Sequence, residues 1–298
     1  MEQNQPCSVR QVYYLGCGVL WPKDTGSSRT SYKLVVRYLG EMREDGTIPF
    51  GWITDSTRWV RKPTMWGSHG EALERTAKLY RRNVWEQQPE RVEVWAESDS
   101  VSGIIHPVTE KFGVGLFSCR GQASKDFAHS SAQEYLADRR PVQILYCGDF
   151  DPTGRAIPRS LLERLNRYTD GGVDVVLRRI AVTADDVLDP DLDLVAHAAN
   201  TRDPNWKAYA VECERFGIDP RLAVEIEAIP PTKLRSRLQT AIRAGIGDPA
   251  AWTACLAAES SERAILGAIA GLTDWLTDTI TEASQKLAEN EVPGDDDR

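Results

Sequence analysis

Three carboxylates occupy positions where phosphate chemistry could be done. Glu97 follows the strand-like run Val92–Ala96, and Asp149 and Asp151 follow a second run, Val142–Cys147, in Gly148-Asp149-Phe150-Asp151-Pro152-Thr153-Gly154. In an open parallel sheet, ligands bind beyond the carboxyl ends of strands, and adjacent strands would bring all three acids to one rim. The i, i+2 spacing of Asp149 and Asp151 lets both point the same way along extended backbone. Pro152 favours extended backbone at Asp151, and Gly154 frees the turn that follows. Clustered carboxylates repel one another unless a cation neutralises them. Hard oxygen donors with no His or Cys nearby favour Mg²⁺, or Mn²⁺, over zinc. Such an ion polarises phosphate oxygens, and a pair about 3.5–4 Å apart clamps attacking and leaving oxygens. The plainer role for the Asp pair is a turn or a helix cap.

The elements that must position these acids follow from the pattern. Val92–Ala96, Gly113–Ser118, Val142–Cys147 and Val173–Leu177 read as short strands, with helices over Ala123–Asp138 and Gly154–Tyr168. Strands alternating with helices predict an α/β domain with a parallel sheet and right-handed crossovers. Beyond about residue 205 the chain reads as mostly helical, broken at Pro230-Pro231. Near the start, Ser8 can cap a short helix carrying Arg10, Val12, Tyr13 and Tyr14, ended by Gly16 and Gly18. Ser28–Glu44 fits a second helix, with Tyr32, Val35, Val36, Leu39 and Met42 at helical spacing. Ile48–Ile53 then reads as a short strand or wing. Helix, helix, wing is the order of a winged-helix DNA-binding module.

The expected organisation is therefore a winged-helix module with a basic linker helix over residues 1–91 and a metal-binding parallel-sheet domain with C-terminal helices over 92–288. An acidic tail follows over 289–298. Residues 1–95 hold 14 Lys and Arg against 11 Asp and Glu, a net +3, within a chain whose net charge is −8. A basic front and an acidic remainder suit DNA contact by one part and metal chemistry by the other. Six tryptophans lie before residue 96, and Trp59 sits among Arg58, Arg61 and Lys62. Arg75, Lys78, Arg81 and Arg82 follow at spacings that share a helix face. Basic residues interleaved with aromatics suit phosphate contact; packing Trp beneath a solvated basic face is the plainer alternative.

Other chemistries find no support. The six cysteines are scattered without a CxxC pair, which argues against structural zinc and a disulfide framework and for reduced thiols in the cytoplasm. No GxxxxGK[ST] loop, Gly-x-Ser-x-Gly elbow or cluster of the four histidines is present. No apolar run approaches the ~20 residues of a membrane helix, and no secretory leader is expected from Met1-Glu2-Gln3-Asn4-Gln5-Pro6.

Glu97 after one strand and Asp149-Phe150-Asp151-Pro152-Thr153-Gly154 after another resemble a Toprim domain, shared by topoisomerases, primases and certain nucleases. Ser8-Val9-Arg10-Gln11-Val12-Tyr13-Tyr14 is similar to the R-x-x-Y-Y helix of the topoisomerase VI A subunit and the meiotic double-strand-break transesterase. In that family this helix belongs to a winged-helix module upstream of the Toprim domain, the order found here. Arg120-Gly121 and Val224–Pro231 are also similar to family segments, and the resemblance spans roughly residues 8–245. The chain is short for an A subunit and looks more like the compact stand-alone relatives.

The resemblance implies cleavage of double-stranded DNA by Mg²⁺-dependent tyrosyl transesterification. Tyr14, the second Tyr of the pair rather than Tyr13, would attack the phosphodiester, forming a 5′-phosphotyrosyl bond and releasing a 3′ hydroxyl. Glu97, Asp149 and Asp151 would hold the metal, and Arg10 would bind the scissile phosphate. Arg58, Arg61, Lys62, Arg81, Arg82 and Arg120 would contact DNA. A homodimer is implied, the Tyr of one protomer working with the metal of the other. Strand passage would need a separate ATPase subunit. The family usually has Lys directly after the Toprim glutamate; here it is Ser98. The competing readings are a hydrolytic Toprim nuclease, in which water replaces Tyr14, and a DNA-binding protein without catalysis.

Overall fold

The structure, a computed structural model, describes residues 4–17, 19–21, 30–53, 63–119, 121, 124–192 and 194–290. In chain order it contains α1 (Val9–Gly16), α2 (Thr30–Glu44), α3 (His69–Leu79), β1 (Arg91–Ala96), α4 (Asp99–Phe112) and β2 (Gly115–Ser118). These are followed by α5 (Lys125–Asp138), β3 (Val142–Cys147), α6 (Pro152–Thr169), β4 (Val175–Ala181) and α7 (Ala184–Leu188). The last elements are β5 (His197–Ala198), α8 (Trp206–Phe216), β6 (Leu222–Ala223), α9 (Pro231–Ala244) and α10 (Pro249–Asn290). The chain divides into two compact units: Met1–Trp59 with Gln88–Gly247, and Val60–Gln87 with Asp248–Arg298. The sequence placed residues 60–87 with the N-terminal module, whereas here they group with α10.

The larger unit is a mixed α/β structure around a parallel sheet of order β2-β1-β3-β4. Alternation along the strands sends side chains to opposite faces. Trp95, Ile144 and Tyr146 pack with Ala128, Ala132 and Tyr135 of α5 and Ile157, Leu161 and Leu165 of α6. Helices α4 and α9 pack on each other and against strands of the same sheet. β3 is buried at five of its six positions, as a run of Val, Ile, Leu and Tyr in the middle of a covered sheet should be. Glu93 shows how this core holds a carboxylate for structure alone. It accepts from Tyr135 Oη at 2.5 Å and Trp95 Nε1 at 2.9 Å, and pairs with Arg91 at 2.7 Å.

Around the sheet, α4 and β4 differ from the pattern read in sequence. Helix α4 was not foreseen, because Gly103, Pro107 and a β-branched Ile104-Ile105 pair weaken its signal. Ser98 caps it, its hydroxyl accepting from Val101 N at 3.3 Å, and the buried face of Val101, Ile104, Ile105, Val108 and Phe112 outweighs the weak propensity. β4 runs on to Ala181 rather than ending at Leu177, because the Arg178-Arg179 pair that looks like a strand end continues the strand.

In the N-terminal part, the Ser8 hydroxyl accepts from Gln11 N while Gln11 Oε1 accepts from Ser8 N, the reciprocal box that starts α1. Val12, Tyr13 and Tyr14 of α1 share a core with Val35 and Leu39 of α2, and with Ile48 and Ile53. The expected start of the second helix at Ser28 and the stop at Gly18 lie outside the described residues. The strand or wing expected at 48–53 is a single 3-10 turn over Phe50–Trp52 instead, with Ile53 in one isolated bridge to Cys7. Pro49 has no N–H to give a strand ladder, and Trp52 N and Ile53 N bond back to Pro49 O and Phe50 O.

In the smaller unit, α3 packs along α10. Ser68 caps α3 through Glu71 N at 3.1 Å, and the helix ends at Leu79. Below it, Tyr80 Oη and Arg82 Nη1 reach Glu262 at 2.7 and 2.9 Å, and Trp85 meets Trp252 edge to face at 5.1 Å.

Candidate metal and phosphate site

Pairing of β1 with β3 sets Ala96 beside Cys147, and Glu97 N donates to Cys147 O at 2.9 Å. Glu97 and the Gly148–Gly154 loop therefore leave the sheet side by side at its carboxyl edge. Asp149 N donates to Glu97 Oε2 at 2.8 Å. Asp149 Oδ1 in turn accepts from Ile226 N at 2.8 Å, and Asp151 Oδ1 accepts from Gly154 N at 2.6 Å as the N-cap of α6. Asp151 thus does fill the plainer role of a helix cap. Each acid commits one oxygen to a backbone N–H, and the other oxygen takes no hydrogen bond among the described residues.

Three local features force this geometry. At Gly148 a Cβ would collide with the Glu97 carboxylate and the Tyr146 ring, and at Gly154 it would lie 3.1 Å from Glu97 Oε2. Only residues without side chains let the loop close over the glutamate. The second feature is Arg179 of β4, whose Nη1 donates to Gly148 O at 2.8 Å, Asp149 O at 3.1 Å and Val182 O at 3.3 Å, while Nη2 donates to Gly154 O. One guanidinium gathers the loop's carbonyls from beneath. The third is an antiparallel bridge between Phe150 and Val224, with N–H···O bonds of 2.8 and 2.9 Å, that lays residues 224–228 against the acid loop.

Burial and the charge of neighbouring carboxylates raise Glu97 and Asp149. The Glu97 carboxyl is pushed up to about 7, first by desolvation and also by the charges of Asp151 and Glu227, against the Asp149 N–H and Arg179. Asp149 is raised well above the ordinary range by burial, then by Glu97 and Glu227. Glu227, 4% exposed, is itself raised by burial. A cation would relieve this crowding. Among the described residues no three or more His, Cys, Asp or Glu side chains converge as a ready-made metal cage. The donors are all carboxylate oxygens, one on each of Glu97, Asp149 and Asp151 taking no hydrogen bond among the described residues, which is donor chemistry that suits Mg²⁺ rather than zinc.

Arg10 and Tyr14 share one face of α1, one turn apart. Arg10 Nε stands 3.0 Å from Glu225 Oε2, close enough for ion pairing but without hydrogen-bond alignment. Among the described residues the Arg10 guanidinium makes no hydrogen bond and is engaged through its ion pair with Glu225. Its charged form is favoured by Glu225, Glu227, Tyr14 and Asp149, which outweigh the cost of burial. Tyr14 is 7% exposed. Its phenol is raised by burial and then by Glu225, which lies within charge and hydrogen-bonding reach of the hydroxyl. Tyr13 has a different environment: it lies parallel to Trp21 at 6.3 Å and edge-on to Tyr32 at 5.5 Å, an aromatic cluster beneath α1.

Glu97, Asp149 and Asp151 are thus brought to one edge, and Arg10 lies within the field of Asp149. Ser98, where the resembled family has Lys, serves as the cap of α4. Arg81 and Arg82 do not share the helix face expected of them, because α3 stops at Leu79 and Arg82 is engaged with Glu262. Arg58, Arg61, Lys62 and Arg120 lie outside the described residues. Glu225, Glu227 and Arg179 received no role from the sequence. Their signals were an acid–apolar alternation directly before Pro230-Pro231 and an arginine pair inside an apolar strand. No protein-family model and no curated protein matches this chain.

Proposed function

We propose that this chain cleaves double-stranded DNA by Mg²⁺-dependent transesterification, with Tyr14 as nucleophile. The observation that carries the reading is that Glu97, Asp149 and Asp151 all leave the carboxyl edge of adjacent parallel strands, tied through backbone N–H bonds, each with one oxygen that takes no hydrogen bond among the described residues. In this reading the sheet unit is Toprim-like and α1 with α2 belongs to a winged-helix-like module, although residues 48–53 form no wing strand. Mg²⁺, or Mn²⁺, held by the three acids would stabilise charge on the phosphate and on the departing 3′ oxygen. Arg10 uses its guanidinium N–H donors to hold the scissile phosphate against Tyr14. The Tyr14 oxygen attacks phosphorus in line, the bond to the 3′ oxygen breaks, and a 5′-phosphotyrosyl link remains whose energy permits resealing without ATP.

The proposal includes a homodimer in which the metal site of one protomer serves Tyr14 of the other, one strand being cut per Tyr. It also includes a separate ATPase partner if strands are passed, and a cytoplasmic setting with reduced thiols. No helix among the described residues is long and apolar enough to cross a membrane. Contact with DNA by Arg58, Arg61, Lys62, Arg81, Arg82 and Arg120 belongs to the same proposal, with Arg82 first having to leave Glu262.

The 7% exposure of Tyr14 favours a second reading, in which water attacks and Tyr14 only packs. Denaturing electrophoresis of protein mixed with labelled plasmid and Mn²⁺ separates the two. A DNA-linked protein band is expected; cleavage without that band supports the hydrolytic nuclease, and no cleavage at all leaves only DNA binding.

A further inference from the structure

We infer that Glu225 is the general base that takes the phenolic proton of Tyr14 while its charge holds Arg10 in place beside the reacting oxygen. The inference rests on the reading of Tyr14 as nucleophile and names a residue which that reading did not contain. The backbone on both sides of Glu225 is fixed by the acid loop: Val224 is bridged to Phe150, and Ile226 N donates to Asp149. The side chain between them stands 3.0 Å from Arg10 Nε, and Tyr14 lies one turn along the same face of α1. The groups facing Glu225 are Arg10 and Tyr14 from α1 and Glu227 from its own turn, with Asp149 acting through the field at Arg10.

A phenol buried beside carboxylates is held protonated, so ionisation in advance of attack is disfavoured and the proton must leave as the new bond forms. The step balances without any oxidant or reductant. The Tyr14 O–P bond forms as the P–O3′ bond breaks, the phenolic proton passes to Glu225, and the departing 3′ oxygen takes a proton from solvent. Arg10, positive throughout, offsets negative charge on the phosphate and beside the ionised Glu225. In resealing, Glu225 returns the proton to the Tyr14 oxygen.

The test measures the rate of adduct formation on supercoiled plasmid with Mn²⁺ across pH for wild type, Tyr14→Phe, Glu225→Gln, Glu225→Asp and Glu225→Ala. With Glu225→Gln the expected loss near neutral pH is about 10²–10⁴-fold, the usual worth of a general base. That deficit should shrink as pH rises and hydroxide takes over. Ultraviolet titration, with Tyr14→Phe as the blank, should show the Tyr14 phenol ionising at lower pH in Glu225→Gln, because a raising charge is gone. Glu225→Asp keeps a carboxylate at shorter reach and should be intermediate; it carries the test if Glu225→Gln does not fold, and a rate no better than Glu225→Ala overturns the inference. A wild-type adduct rate in Glu225→Gln, or a deficit equal at every pH with no shift of the phenol, also overturns it and leaves the transesterase standing. No adduct from the wild type with Mg²⁺ or Mn²⁺ removes both.

Discussion

The backbone N–H of Asp149 donates to the carboxylate of Glu97 at 2.8 Å, across the carboxyl ends of two adjacent parallel strands. This bond joins residues 52 apart in sequence and makes the acid loop and the end of β1 one object. It also favours the charged form of Glu97, against the larger effect of burial.

Glu97 therefore costs stability once ionised. Its carboxyl is raised to about 7 in the folded chain, above its ordinary value, so folding binds a proton between the two values. The favourable contribution is complete at low pH and is lost as pH rises through about 7. Glu97→Gln, which keeps an acceptor for Asp149 N, should be more stable than wild type by about 1–3 kcal/mol at pH 8 in EDTA, with the gain vanishing near pH 5. Thermal melts across pH read this; an unchanged or lower melting temperature at pH 8 would count against a crowded carboxylate.

Mn²⁺ or Mg²⁺ should raise the melting temperature of the wild type and leave that of Asp149→Ala unmoved. Because Glu97 must give up its proton, the affinity should weaken between pH 8 and pH 6, and binding near pH 6.5 should release protons to the buffer. Calorimetry in two buffers of different ionisation heat measures the release, and none at pH 6.5 refutes a role for Glu97.

Tyr14→Phe should abolish the covalent adduct and Asp149→Ala all cleavage. If Tyr14→Phe cuts at the wild-type rate, water is the nucleophile.

Mixing Tyr14→Phe with Asp149→Ala chains tests the shared dimer. With sites built across protomers, each mixed dimer has one intact site and nicks one strand, leaving a single adduct. Mixtures as inactive as either parent would mean that each chain works alone.

Arg179→Met should lower stability by roughly 2–4 kcal/mol, since several buried carbonyls lose their donor together, and should weaken Mn²⁺ binding. Arg179→Lys should recover only part, because an ammonium cannot span the fork of a guanidinium. Guanidinium chloride titration gives the first quantity; a change under ~0.5 kcal/mol would be that of an ordinary surface residue.

The sequence alone determined what depends on neighbours along the chain. Alternating short apolar runs and helical stretches predicted the parallel sheet, and β3 was placed at Val142–Cys147, because a strand buried on both faces leaves an unbroken apolar run. Ser8 marked the start of α1 for a similarly local reason. Helix α4 and the length of β4 were illegible, because there the burial of a face outweighed weak propensity and an arginine pair. Tertiary structure alone decided which groups meet. Glu225 reaches Arg10 only because Val224 pairs with Phe150, a contact across 74 residues, and Arg179 reaches the acid loop only because β4 lies beside β3. No periodicity encodes such contacts, since they follow from strand order and chain crossing rather than from spacing.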